Sequence, residues 1–173
     1  DDRFHVRASL KFFAQIFAAV LVVFWGGAYI NGLGNLLGFG GIWLGFLKET
    51  FALVAMVLLI NSTNLMEGLD GLAGGVGFIV SIFLAVAAFL SGQIVFLGPL
   101  LVFITAMLGF LIYNKRHPWR RKASVFMGDA GSLSLGLLLG WFSLQLVKSG
   151  NDVIEPISIA WFLALPIADT CAQ

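Results

Sequence analysis

Six stretches along the chain are apolar for nearly the length a bilayer requires. Phe12–Ile30 is interrupted by one strongly polar residue, Gln15, and Gly74–Leu90 carries Ser81 alone. Thr50–Met66 holds the apolar run Phe51–Ile60 and then turns polar at Asn61, Ser62, Thr63 and Asn64. Ile94–Tyr113 contains Pro99 and Thr105, Leu133–Val147 is shorter, and an apolar run from Ile157 reaches Ala168 before Asp169. A hydrocarbon core takes roughly 20 residues of helix. Lipid cannot satisfy free backbone groups, so helices are the expected spanning elements, and the alternation of a barrel strand is missing. The pattern predicts an all-α, polytopic transmembrane helix bundle of about six spans, with residues 1–173 forming one transmembrane domain.

Composition agrees: 60% of residues are hydrophobic, 11% are charged, and the formal net charge is +1. Soluble domains run about 45–50% apolar and about 25% charged. No basic surface large enough for nucleic acid is present, and disorder is excluded. With Cys171 as the single cysteine, neither an intrachain disulfide nor a cysteine-based zinc cage can form. The run Phe12–Ile30 lacks a small-residue cleavage site and follows acidic residues, so it is not read as a secretory signal.

Crossing six times places the N-terminus, Glu67–Ala73, Asn114–Gly131 and the C-terminus on one side. That side holds eight of the ten cations, Arg3, Arg7, Lys11, Lys115, Arg116, Arg120, Arg121 and Lys122. Lys48 and Lys148 fall on the other. The positive-inside rule makes the first side cytoplasmic. It also receives Asp1, Asp2, Glu67, Asp70, Asp129 and Asp169, whereas Glu49, Asp152 and Glu155 lie opposite. Any one of these acids reads as a solvated loop residue. Six gathered at helix junctions read as a shared, cation-dependent site, because carboxylates near membrane depth pair, bind cations or line polar cavities.

Two segments carry the chemistry. In Asn61–Leu72, the polar positions Asn61, Asn64, Glu67 and Asp70 recur every three residues, which keeps neighbours on one slowly drifting helix face. Gly68 and Gly71 would end that helix and let backbone approach a ligand. Interhelical hydrogen bonding accounts for Asn61 but not for two acids flanked by glycines. The second segment, Val125–Ser132, places Asp129 between Gly128 and Gly131, with Ser132 as the expected N-cap of the following span. A helix start of this kind attracts phosphate. Mg2+ binds through one or two carboxylates together with substrate phosphates. The basic run Lys115–Lys122 suits anionic headgroups as well as it suits plain topology signalling. His5 and His117 read as interfacial residues, and Trp25, Trp43, Trp119, Trp141 and Trp161 as packing or interface anchors.

These motifs occur in a fixed order: Asp1-Asp2 followed by Lys11, then Asn-x-x-Asn-x-x-Glu-Gly-x-Asp-Gly-Leu, then Phe-Met-Gly-Asp-Ala-Gly-Ser. In that order and on one face they resemble the polyprenyl-phosphate N-acetylhexosamine-1-phosphate transferases. The short link from Asp2 to Lys11 and the terminal Pro166-Ile167-Ala168-Asp169 look like the undecaprenyl-phosphate GlcNAc-1-phosphate branch rather than the phospho-N-acetylmuramoyl-pentapeptide branch. The resemblance implies transfer of a hexosamine phosphate from a UDP-N-acetylhexosamine to a polyprenyl phosphate, releasing UMP, with Mg2+ or Mn2+. It also implies a multi-pass protein of the bacterial inner membrane, with its active face cytoplasmic, acting at the first membrane step of cell-envelope glycan synthesis, lipopolysaccharide included.

Carried over by motif, Asp129 would ligate the metal, and Asp1 and Asp2 would orient or deprotonate the lipid phosphate. Lys11 would neutralise phosphate charge, Phe126 would stack near the uracil, and Asn64, Glu67 and Asp70 would lie near nucleotide and metal. The family usually has Asp where this chain has Glu67. Its further helices and its His-rich cytoplasmic loop fall outside this sequence, which is therefore read as an internal part of a longer enzyme. No motif requires or excludes a homodimer, and none fits nucleic acid. Two other classes remain to be distinguished. A cation-coupled transporter would need acids on both sides or through the membrane depth, against the bunching seen here. A non-catalytic membrane scaffold or assembly subunit fits this stretch of chain taken alone, and UDP-sugar binding by it would count against that reading.

Overall fold

A computed structural model describes residues 7–35, 40–115, 123–149, 156–164 and 167–168. Among them there is no strand, only an isolated antiparallel bridge between Gly32 and Trp43. The helices are α1 (Ala8–Val20), α2 (Lys48–Leu65), α3 (Leu72–Leu90), α4 (Ile94–Asn114), α5 (Gly128–Ser149) and α6 (Pro156–Phe162). Five segments are long and apolar enough to cross a membrane. The sixth expected span, from Ile157, is described only as the 7-residue α6 with a little helical backbone beyond it. The all-α bundle expected from the apolar runs is the architecture observed.

Helix boundaries moved where backbone chemistry overrode hydropathy. The first span covers Ala8–Trp25 rather than Phe12–Ile30. Its last turn, Leu21–Trp25, widens to π geometry, and the Gly26 amide closes it on the Leu21 carbonyl. Gly27, at φ 61°, then turns the chain out of the helix. At the other end of the fold, α5 starts at Gly128, so Ser132 is not its N-cap. Ser132 is fully buried one turn inside, its hydroxyl turned back on the Gly128 and Asp129 carbonyls.

Helix α5 is the centre of the bundle, packed on α2 and α3 and touching α1 and α6, while α4 packs on α3. With lipid as apolar as the helices themselves, close backbone approach rather than hydrophobicity holds such helices together. Gly136 and Gly140 provide that approach. A Cβ at Gly136 would stand 2.3 Å from the Thr63 hydroxyl and 2.7 Å from Ile60 Cα, and one at Gly140 would stand 2.5 Å from Met56 Sδ. Leu84, Leu100, Leu139 and Leu146 fill the core between α3, α4 and α5. Phe103 and Phe142 meet there at 6.2 Å between ring centroids. Phe13, Phe17 and Phe24 point outward, as lipid-facing residues should.

Two polar ends result. Near the loop that follows α1, Lys48 and Lys148 stand 4.4 and 4.6 Å from the Tyr29 ring centre, and the Lys148 ammonium donates to the Gly27 carbonyl at 2.6 Å. The opposite end gathers the N-termini of α1 and α5 with the C-termini of α2 and α4.

Replacing Gly136 by valine is expected to destabilise the bundle by about 1–3 kcal/mol, since backbone on α2 cannot yield. Gly98→Ala, on the open face of α4, should leave stability unchanged or slightly raised. Denaturant titration of both variants in micelles would check this; equal midpoints would refute the packing argument.

Candidate active site at one end of the bundle

Three helices deliver the polar cluster. Lys11 sits one turn into α1, Asn64 at the last turn of α2, and Asp129 in the first turn of α5. The Lys11 ammonium pairs with Asp129 Oδ2. The Asn64 amide donates to Asp129 Oδ1 at 3.1 Å and to the Ser132 hydroxyl at 2.9 Å. One step deeper, the Thr63 hydroxyl donates to the Ser132 carbonyl at 3.0 Å, at the level where the glycines bring α2 against α5. Both oxygens of Asp129 are thus held from different helices. The pair remains about one-third open, with 30% relative exposure for each side chain, so a ligand can reach it.

Asn61 plays a different part. Its amide bridges to Gln15 on α1 at 2.8 Å and to its own Val57 carbonyl at 2.8 Å. It is the interhelical hydrogen bond its position predicted, tying α1 to α2 beneath Lys11.

The motif does not continue as one helix face. α2 ends at Leu65, a 3-10 turn covers Met66–Gly68, Leu69 is extended, and Gly71 adopts φ 81°. Asn61 and Asn64 therefore face α1 and α5, whereas Glu67 and Asp70 are carried over to a narrow cleft shared with Asn114, Phe126 and Met127. Glu67 is buried there at 8% exposure, while Phe126 is 62% exposed, with a ring free to accept a planar partner. Among the described residues no three His, Cys, Asp or Glu side chains converge as a metal cage. The described acids of the motifs therefore fall into two groups, Asp129 paired with Lys11 and Glu67 with Asp70. Asp1, Asp2, Asp169, His5, His117 and the basic residues Arg116–Lys122 lie outside the described residues.

The sequence reading missed Asn114, which is 5% exposed at the end of α4. Its Oδ1 accepts from the Gly71 amide at 2.8 Å and its Nδ2 donates to the Val125 carbonyl at 2.8 Å. One amide side chain thereby fixes the turn carrying Asp70 to the segment carrying Phe126. The signal was available: a lone amide closing an otherwise apolar span, where a polar group must find partners. Replacing Asn114 by alanine would leave buried donor and acceptor groups unmatched, a cost of about 1–3 kcal/mol. We expect faster amide exchange at residues 66–71 and 123–127, with α1 unchanged. Unaltered exchange in both segments would show that Asn114 is not the tie.

Comparison with known proteins places these motifs. The chain is 29% identical over 172 residues to the undecaprenyl-phosphate alpha-N-acetylglucosaminyl 1-phosphate transferase of Yersinia pestis, covering 99% of this chain and 47% of that protein. It is 28% identical over 172 residues to the Escherichia coli K12 protein of the same name, with the same 99% and 47% coverage. It is 37% identical over 180 residues to a probable undecaprenyl-phosphate N-acetylglucosaminyl 1-phosphate transferase of Bacillus subtilis, covering 98% of this chain and 46% of that one. The chain thus spans about half the length of the curated relatives it matches. The glycosyl transferase family 4 profile matches residues 1–147, a stretch that holds Lys11, Asn64, Glu67, Asp70, Phe126 and Asp129, and the chain belongs to that family.

Proposed function

We propose that the protein containing this chain transfers N-acetylglucosamine-1-phosphate from UDP-N-acetylglucosamine to undecaprenyl phosphate at the cytoplasmic face of a bacterial inner membrane. The observation that carries the reading is the Lys11–Asp129–Asn64 cluster, built from three helices at the end of the bundle that also holds Glu67, Asp70 and exposed Phe126. In the reaction, an oxygen of the lipid phosphate attacks the β-phosphorus of the sugar nucleotide. The bond from that phosphorus to the α–β bridging oxygen breaks, and UMP leaves with both electrons of that bond. The lipid keeps a diphosphate carrying the sugar, so atoms and charge balance.

Such a transfer depends on positioning and on neutralising phosphate charge rather than on covalent help from the protein. The donor set suits Mg2+, because a single reachable carboxylate is enough when substrate phosphates complete the coordination. Asp129 would hold the ion, which supplies positive charge at the phosphates. Asn64 holds the Asp129 carboxylate in place through Oδ1, independent of what occupies Oδ2. Lys11 pairs with Asp129 Oδ2, and its ammonium would add positive charge beside a phosphate bound there. Phe126 offers a stacking face for the uracil beside Glu67 and Asp70, and burial of Glu67 fits a wall residue of that cleft. Asp1 and Asp2 keep the part the motif assigns them, orienting or deprotonating the lipid phosphate.

In membranes bearing the full-length protein, Asp129→Asn should lower Mg2+-dependent UMP release and lipid-linked sugar formation by about a thousandfold, the scale of losing one strong transition-state contact. Turnover near that of the parent protein would remove Asp129 from the mechanism. Phe126→Ala should weaken the sugar nucleotide's KM by the equivalent of about 1–3 kcal/mol, the usual worth of a base stacked on an aromatic ring, and leave the acceptor KM as it was. A change confined to the acceptor would reverse the assignment of the two subsites.

A further inference from the structure

We propose that Ser132 is a positioning residue of the transfer site: its buried hydroxyl fixes the Asn64 amide and, through that amide, the aim of the Asp129 carboxylate. This rests on the function proposed above, in which Asp129 holds a divalent cation.

The Ser132 hydroxyl is used differently from others in the bundle. Those of Ser62, Ser81 and Ser134 turn back on the carbonyl four residues earlier in their own helix. Such a bond spends the one hydrogen a hydroxyl carries and leaves its lone pairs as acceptors. Ser132 makes the same kind of bond, to the Gly128 carbonyl at 3.4 Å and the Asp129 carbonyl at 3.2 Å. Its oxygen also accepts from the Asn64 amide on α2 at 2.9 Å. With its own hydrogen committed to backbone, Ser132 can meet Asn64 only as an acceptor.

That requirement sets the amide. An Asn side chain ends in an NH2 group and a carbonyl oxygen, and its last torsion is broad and roughly two-fold. Here the NH2 group gives one hydrogen to Asp129 Oδ1 and the other to Ser132. Turned over, the amide would set its oxygen against a carboxylate and against a hydroxyl with no hydrogen to offer. Of the two acceptors that hold the orientation, Ser132 is the fixed one. It is fully buried, whereas the Asp129 side chain is 30% exposed. Thr63 adds to the grip by donating to the Ser132 carbonyl at 3.0 Å. Consecutive residues of α2 thus hold the carbonyl and the hydroxyl of a single residue of α5.

Burial also keeps Ser132 away from any ligand, so it acts on the carboxylate through Asn64. Lys11 is no substitute for this restraint. It holds the other carboxylate oxygen, Oδ2, in a pair that is partly exposed, and such pairs restrain little. Without the Ser132 oxygen, one Asn64 hydrogen loses its acceptor, the amide is free to turn, and Asp129 Oδ1 loses the donor that aims it.

Mn2+ binding to the full-length protein in micelles, read by electron paramagnetic resonance with neither substrate present, tests this. Ser132→Ala should raise the Mn2+ Kd about ten- to a hundredfold, the usual scale for losing a residue that supports a metal ligand. Asn64→Ala should do the same, and adding Ser132→Ala to it should cost nothing further, because residues acting in series are not additive. Ser132→Cys keeps nearly the same volume with a weaker acceptor and should fall between the parent and the alanine variant. Ser81→Ala removes an equally buried hydroxyl from α3 and should leave Mn2+ binding unchanged. Losses that add in the double variant, or an equal loss from Ser81→Ala, would overturn the proposal by showing a general loosening of the bundle. Mn2+ binding that survives Asp129→Asn would overturn it together with the metal assignment. Coupled losses in a parent protein that forms no lipid-linked sugar would instead reject the transfer reaction and leave Ser132 positioning Asp129 at a cation site.

Discussion

The close approach of α2 and α5 is the constraint on which the site depends. Gly136 and Gly140 leave no side chain between the two backbones, so Ile60, Met56 and Thr63 press directly on α5. In lipid, that contact must come from packing and hydrogen bonds, because apolar surface gains nothing by leaving a hydrocarbon solvent. One turn further on, the same registration sets Asn64 against Asp129 and Ser132. A wider separation would leave Asn64 unable to reach either. The glycines and the carboxylate are therefore parts of one device: the first fixes the distance, and the second uses it.

Helix α1 joins through polar contacts at two depths. The Gln15–Asn61 bond lies within the bundle, and the Lys11–Asp129 pair lies at its end. A hydrogen bond between amides inside the bundle, with Gln15 buried and Asn61 half-buried, is costly to break in an apolar medium, which makes it a better register pin than a partly exposed ion pair. The Gln15–Asn61 bond thus holds α1 in register separately from the Lys11–Asp129 pair. At the far end, Tyr29 between Lys48 and Lys148 ties the loop after α1 to α2 and α5 without involving any residue of the site. Anchoring and chemistry are divided between the two ends of the same helices.

How much was legible varied with the kind of force involved. The spans that became α2, α3 and α4 were readable to within about two residues, because long apolar runs leave few alternatives in lipid. The end of α1 was misplaced, since hydropathy does not register the π turn and the left-handed Gly27 that close it. The start of α5 was misplaced for a related reason: Gly128, Asp129 and Gly131 read as a loop before a cap, yet the contacts of Asp129 and Ser132 with α1 and α2 draw that segment into the helix. The motif from Asn61 to Asp70 was found as a set but not as two groups. Its break after Leu65 leaves Asn64 on Asp129 and carries Glu67 with Asp70 to the cleft beside Phe126. Asn114, a lone amide closing an apolar span, signals that it needs partners, but no spacing in the sequence names them as Gly71 and Val125.

By itself, then, the sequence determined that this chain crosses a membrane as helices, which end of the bundle collects acids and bases, and which family its ordered motifs belong to. These properties are written in composition, in hydropathy and in short spacings, and each survives without knowledge of any contact. Only the tertiary structure decided which charges meet, that Asp129 is held by both Lys11 and Asn64, and that Asn114 binds the two walls of the Phe126 cleft. Those pairings span from 11 to 118 positions along the chain. They are set by how closely helices can approach, a property of glycine placement and packing that no local pattern records.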